Sequence, residues 1–186
     1  MADILLASGS PRRKELLGRL VGRFDVLPVE ADENYRGDTP EETVLTIARR
    51  KAEAVPEPDR YKAIVASDTL VYMDGVYYGK PVDREDAFRM LGALSGKTHQ
   101  VYSAVVVRTP AGISEGVERS DVTFKVLSDD AINAYLDEYK PLDKAGAYAV
   151  QDGCVVSHYT GSYDNIVGLP TATLSELLRL SGVTLR

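Results

Sequence analysis

The stretch KAIVASDTLVYMDGVYYGKP, residues 62–81, decides the fold class. Its first half is a nearly unbroken apolar run, the pattern of a central strand covered on both faces. Asp74-Gly75 then supplies the pair of residues that a two-residue hairpin turn favours, with β-branched and aromatic side chains on either side. A second, longer hairpin is predicted after Thr98, turning near Pro110–Gly112. Hairpins pair antiparallel, so a purely parallel sheet is excluded.

Helical patterns interleave with these strands. Residues 3–8 read as a short buried strand feeding a helix over 11–21, with Pro11 at its first position and Gly22 ending it. FDVLPV (24–29) is a second strand, and residues 30–38 form an acidic loop. Thr39 is the expected N-cap of the next helix, with Pro40 following and Glu42 closing a capping box. Further helices are predicted from Asp83 to Leu94, from Ser128 to about Tyr139, and from about Pro170. A short hairpin around Asp152-Gly153 and a glycine-rich stretch over 161–168 are expected between the last two. The class is α/β, with a mixed sheet flanked by helices.

With 186 residues, the chain suits one domain, or one domain in two lobes. Its formal net charge of −6 argues against a nucleic-acid polymer as partner but not against a single nucleotide, which needs only a local positive pocket. Cys154 is the only cysteine, so neither an internal disulfide nor a cysteine-based metal site is expected. The opening MADILLASGS lacks a basic leader followed by a long apolar segment, and no run reaches the roughly 18 apolar residues of a membrane span. The expectation is a cytoplasmic protein with no membrane partner.

Several residues break their local pattern. On the strand AIVASDTLV, Asp68 shares a face with Ile64, Ala66 and Leu70. A carboxylate there must be paired, hydrogen-bonded or metal-bound. It is either a structural acid satisfied by backbone N–H groups or a general base or metal ligand. Lys51 falls on the inward stripe of Val44, Ile47, Ala48 and Val55, where it either snorkels to water or meets an anion. Lys80 ends the hairpin arm that folds back toward Asp68, and Lys97 and Lys144 are weaker candidates of the same kind. Arg12 and Arg13 open the first helix, whose N-terminus and dipole favour an anion and whose guanidiniums suit phosphate. Glu30, Asp32 and Glu33 form either a solvated acidic loop or a source of hard-cation ligands. His99 and His158 have no metal-ligand spacing and read as structural. Motifs of serine-hydrolase elbows, P-loops and Rossmann sites are absent from the sequence. Cations and acids gathered from separate segments suit metal-assisted cleavage of a phosphoanhydride.

Six blocks, in order along nearly the whole chain, carry a resemblance. LASGSPRR (6–13), ASDT (66–69), GKP (79–81), SGKTHQVYSA (95–104), DKAGAYAVQ (143–151) and GSYDNIVGLP (161–170) together resemble the Maf family of nucleoside triphosphate pyrophosphatases. The resemblance implies an elongated mixed sheet in two lobes around a central cleft. It implies hydrolysis of a nucleoside triphosphate to monophosphate and pyrophosphate with a divalent metal, Mg²⁺ or Mn²⁺. It also implies a homodimer, a role in clearing modified nucleotides and an association with arrest of cell division. The last two blocks are similar to the branch acting on dTTP and UTP. Position by position, the resemblance makes Asp68 the proton acceptor and Arg12, Thr69 and Gln151 the determinants of substrate choice. Ser8, Arg12, Arg13, Lys51 and Lys80 match phosphate-binding positions, and Glu33 with Asp68 supports the metal. The Gln151 amide can pair with the imide edge of thymine or uracil and leaves groups unpaired against cytosine. Asp152 departs from the pattern, standing where the resemblance implies a glycine. A rival reading from the residues is a nucleotide sensor that regulates cell division by binding alone.

Overall fold

The computed structural model describes residues 2–186. Along the chain run β1 (Ile4–Leu6), α1 (Pro11–Leu20), β2 (Asp25–Val26), α2 (Pro40–Glu53), β3 (Ala63–Met73) and β4 (Val76–Tyr78). There follow α3 (Arg84–Leu94), β5 (Thr98–Thr109), β6 (Gly112–Phe124), α4 (Asp129–Tyr139), β7 (Val156–Thr160), α5 (Tyr163–Val167) and α6 (Thr171–Leu180). The strands form one seven-stranded mixed sheet in the order β2-β1-β3-β5-β6-β7, with β4 alongside β3. β1 pairs parallel with β2 and β3; every other pairing is antiparallel.

The sheet is forked at β3. One edge of β3 pairs continuously with β5 from Ile64 to Tyr72. On the other edge, β1 pairs with Ala63–Val65 and β4 with Val71–Met73, so residues 66–70 have no strand partner there among the described residues. β1 leaves the sheet after Leu6 because Ser10 and Pro11 start α1: the Ser10 hydroxyl accepts from the Arg13 N–H, and proline needs no N–H at that position. β4 arises because Asp74 and Gly75 both take positive φ, the tight turn expected from the sequence. The fork opens the crevice into which Asp68 faces.

Around the fork the core divides. β1, the first half of β3 and β5 are covered by α2 on one face, through Val44, Ala48, Ala52, Ile64, Ala66 and Val106. On the other face α1 and α6 cover them, through Leu16, Leu17, Val65, Val105, Leu174 and Leu178. The far ends of β3, β5 and β6 pack with α3 and α4 around Val71, Leu91, Leu94, Phe124, Ile132 and Leu136. β3 and β5 run through both lobes.

The predicted caps form, with one change. Thr39 accepts from the Glu42 N–H, but the Glu42 carboxylate reaches the Asp38 N–H at 3.0 Å instead of that of Thr39. The hairpin expected at Asp152-Gly153 does not occur. Residues 150–152 form a single 3₁₀ turn, and β7 pairs with β6, because Gly153 takes a left-handed conformation that closes the turn without an arm to precede it. The glycine-rich stretch contains a short helix. Ser162 caps the short α5, accepting from the Asn165 N–H at 3.2 Å, and Gly161 and Gly168 bracket it with positive φ. Among the described residues, no helix is long and apolar enough to cross a membrane.

Candidate active site

A cavity of about 430 Å³ fills the crevice of the fork. Its wall is built from the start of α1, the acidic loop, α2, the middle of β3, the segment after β4 and residues 143–151. Ser8, Arg12, Arg13, Glu33, Lys51, Asp68, Thr69, Lys80 and Gln151 all line it, so every residue to which the family resemblance gives a role comes to one place.

The pairing inside it is specific. Lys51, held by α2 above the α2-facing side of β3, donates to Asp68 Oδ1 at 2.7 Å and meets Glu33 Oε1 at 2.9 Å. The Lys51 and Asp68 side chains are each only 11% exposed, so this is a buried pair and not snorkelling. Lys51 thus meets an anion in Asp68, and the buried Asp68 carboxylate is paired. Among the described residues no donor reaches Asp68 Oδ2. Burial alone would raise the Glu33 carboxyl; the hydrogen bond from Lys51 and the fields of Lys51, Lys80 and Arg13 outweigh it and hold Glu33 below its ordinary value.

The two arginines behave differently. Arg13 Nε donates to the Gly168 carbonyl at 2.8 Å, Nη2 to Thr69 Oγ1 at 3.1 Å and Nη1 to Ser8 Oγ at 3.3 Å. Its guanidinium thus joins α1 to β3 and to the α5–α6 junction. Burial lowers its pKa, against the opposing field of Asp68. Among the described residues Arg12 has only a loose pairing, 4.0 Å from the exposed Asp143. The side chains of Asp68 and Thr69 alternate across the strand, so the acid faces Lys51 and the hydroxyl faces Arg13. Thr69 Oγ1 also lies 2.8 Å from Ser103 Oγ. The Gly168 carbonyl additionally accepts from Ser67 Oγ at 3.1 Å. A side chain at Gly168 would begin 3.3 Å from Thr69 Oγ1, in a backbone with φ of +125°, which explains the glycine at this position.

At the other end of the cavity, Tyr148, Ala149, Val150 and Gln151 form the wall. The Tyr148 hydroxyl lies 2.7 Å from His99 Nε2 in the core. The Gly146 N–H donates to the Gly79 carbonyl at 3.1 Å, which ties this segment to the one that presents Lys80. Sequence reasoning did not find Arg36, Tyr77 or Asp143, which also line the cavity. Arg36 was hidden in a loop that reads as solvated, yet its guanidinium sits 4.9 Å over the Tyr77 ring. Lys144, a weaker candidate, lines the cavity; Lys97 does not. Glu30 and Asp32 stay outside it, and Asp32 pairs with Arg50.

Comparison with known proteins matches this architecture. The model of the Maf-like protein family covers residues 3–181. The chain belongs to the Maf family. A protein of Anaeromyxobacter dehalogenans named dTTP/UTP pyrophosphatase is 46% identical over 98% of this chain and 95% of its own length. Proteins of the same name from Latilactobacillus sakei and Carboxydothermus hydrogenoformans are each 42% identical, over 94% and 95% of this Maf chain and 98% and 97% of their own lengths.

Among the described residues there is no cluster of three metal-ligating side chains. Two carboxylates, Glu33 and Asp68, do converge on one ammonium inside the cavity. That donor set fits a Mg²⁺-like ion, which takes one or two carboxylates and completes its shell with water and substrate phosphates.

Proposed function

We propose that this Maf protein hydrolyses dTTP and UTP to the monophosphate and pyrophosphate. The observation that carries the reading is the placement of one acid, Asp68, in the gap of a forked sheet, with cationic side chains from five separate segments around the same cavity. The names of the relatives supply the nucleotide class.

Asp68 Oδ2 takes a proton from water as the water oxygen bonds to the α-phosphorus; the bond from that phosphorus to the bridging oxygen breaks, and pyrophosphate leaves. Lys51 orients Asp68 through Oδ1, so that the other oxygen can act as base. Arg12, Lys80 and the α1 N-terminus face the triphosphate charge, while Arg13 holds Ser8, Thr69 and Gly168 in register. Glu33 and Asp68 would hold a divalent cation, which neutralises phosphate charge when bound. Gln151 reads the imide edge of the base, accepting from N3–H and donating to a carbonyl.

Incubation with dTTP or UTP and Mg²⁺, with the products resolved, tests the reading. Monophosphate with pyrophosphate is expected. Diphosphate with phosphate would place the attack elsewhere, and tight binding without product would leave a nucleotide sensor.

A further inference from the structure

The segment that presents Gln151 has little internal support. Its own bonds are long: the Asp152 N–H to the Ala149 carbonyl at 3.2 Å and the Gly153 N–H to the Val150 carbonyl at 3.4 Å. Left-handed backbone lies on both sides of it, at Gly146, Ala147 and Gly153. An alanine keeps a φ of +60° only where its surroundings hold it there. The shape of residues 149–152 is therefore imposed from outside.

One hydroxyl does most of this. Tyr135, buried on α4, accepts from the Ala149 N–H at 3.1 Å and donates to Asp152 Oδ2 at 2.6 Å. A single oxygen thus clamps both ends of a four-residue segment. Within the bracket, Val150 and Gln151 line the cavity, whereas Tyr135 and Asp152 lie behind the wall. The tyrosine ring is itself fixed, with Tyr139 5.0 Å away. Burial, then the hydrogen bond to Asp152, pushes the phenol pKa up and keeps the hydroxyl a donor. Asp152 occupies the position where the family resemblance implies a glycine, which has no side chain to accept this bond.

We propose that Tyr135 and Asp152 are positioning residues that set base selectivity by fixing the segment that presents Gln151. This rests on the reading of Gln151 as the side chain that meets the base. A hydrogen bond between an ionised acceptor and a buried hydroxyl is strong enough to hold such a segment against thermal motion. Without it, the Gln151 amide samples orientations that no longer distinguish an imide edge from that of cytosine.

Steady-state kinetics of Y135F, D152A, D152N and Q151A on dTTP and CTP with Mg²⁺ test the proposal. Y135F and D152A should each raise KM for dTTP about tenfold and lower the preference for dTTP over CTP about tenfold, with kcat within about twofold of the parent. D152N, whose amide oxygen still accepts from Tyr135, should keep the parent's preference. D152A carries the test if Y135F fails to fold, since Asp152 is only half-buried. The proposal is overturned if Y135F and D152A keep the preference while Q151A loses it. It is also overturned if kcat falls equally on both nucleotides with the preference intact, the mark of a merely structural pair. A Q151A enzyme as selective as the parent overturns the reading of Gln151, and with it the proposal.

Discussion

The two ends of the cleft are built on different principles. At the end holding Asp68, the acting side chains sit on long regular elements, β3 and α2, and charges hold one another: Lys51 bridges two carboxylates, and Arg13 ties three segments together. At the end holding Gln151, the wall is a pair of 3₁₀ turns with left-handed backbone, held by tyrosine hydroxyls that reach out of or into the hydrophobic core. A reaction on a triphosphate needs fixed charge, which regular structure holds well. A choice among bases needs a shape, and an irregular segment can take one where neighbours impose it. Perturbing each end should therefore give a different symptom.

The largest effect belongs to the charged end. Asp68→Asn keeps an oxygen for Lys51 but removes the base, so turnover should fall by about 10²–10⁴-fold. Circular dichroism and Tm should stay near those of the parent. Near-normal pyrophosphate release would remove Asp68 from its role. Lys51→Met should act on the fold as well, because it leaves two carboxylates facing each other, one of them buried. Breaking such a pair costs about 3 kcal/mol, at the low end because Glu33 is half-exposed, or roughly 6–12 °C in Tm. Glu33 is held below its ordinary value of 4.5, so its share of stability is present above that pH and is lost as pH falls through the lower folded value. The gap in Tm between parent and Lys51→Met should narrow in acid. A gap that is constant with pH would show that the ammonium acts through packing alone.

At the aromatic end the matching experiment is a titration. His99 is buried between Phe124 and Tyr148, its Nδ1 without a partner among the described residues, and desolvation lowers its pKa from 6.5 to about 4. The unfolded chain therefore binds the proton more tightly. Stability from this group is complete above pH 6.5 and is lost as pH falls toward 4, by about 3 kcal/mol over the window. His99→Gln should lower stability at neutral pH by removing packing and a partner of Tyr148. Its further loss between pH 6.5 and 4 should be about 3 kcal/mol smaller than the parent's, read from urea unfolding at several pH values. Parallel curves would show that His99 does not carry the acid sensitivity.

The same contrast governs what the sequence could reveal. Asp68 was legible because a lone acid on an apolar strand violates the burial rule, and Lys51 because it fell on a helical stripe whose other members are apolar. Both signals come from the periodicity of regular elements. The fork in the sheet was partly legible, since Pro11 and Asp74-Gly75 mark where β1 leaves and β4 returns. Residues 145–153 were not. Asp152-Gly153 carries a hairpin signal, and only the tertiary bonds from Tyr135 and the pairing of β7 with β6 override it. Arg36 was missed for a related reason: charge in an acidic loop reads as solvated until Tyr77, distant in sequence, is placed beneath it. The neighbouring arginines 12 and 13 looked equivalent in the sequence, and the structure separates them.

That separation supplies the smallest and sharpest test. Arg13 makes three divergent hydrogen bonds that a single ammonium cannot reproduce, so Arg13→Lys should lose about 1–3 kcal/mol, or several degrees of Tm. Among the described residues Arg12 has a partner only at 4.0 Å, and that partner is exposed, so Arg12→Lys should change stability by less than about 0.5 kcal/mol. Both variants should turn over dTTP more slowly, for different reasons. Arg12→Lys withdraws a bidentate donor from the triphosphate and should act mainly on KM. Arg13→Lys loosens Thr69 and the Gly168 carbonyl, which lie where the charged end meets the α5–α6 junction, and should lower kcat together with Tm. Thermal melts beside kinetics on the two variants decide the matter: equal losses of Tm would mean that the arginines share one role, and the guanidinium of Arg13 would no longer be the tie that sets the floor of the cleft.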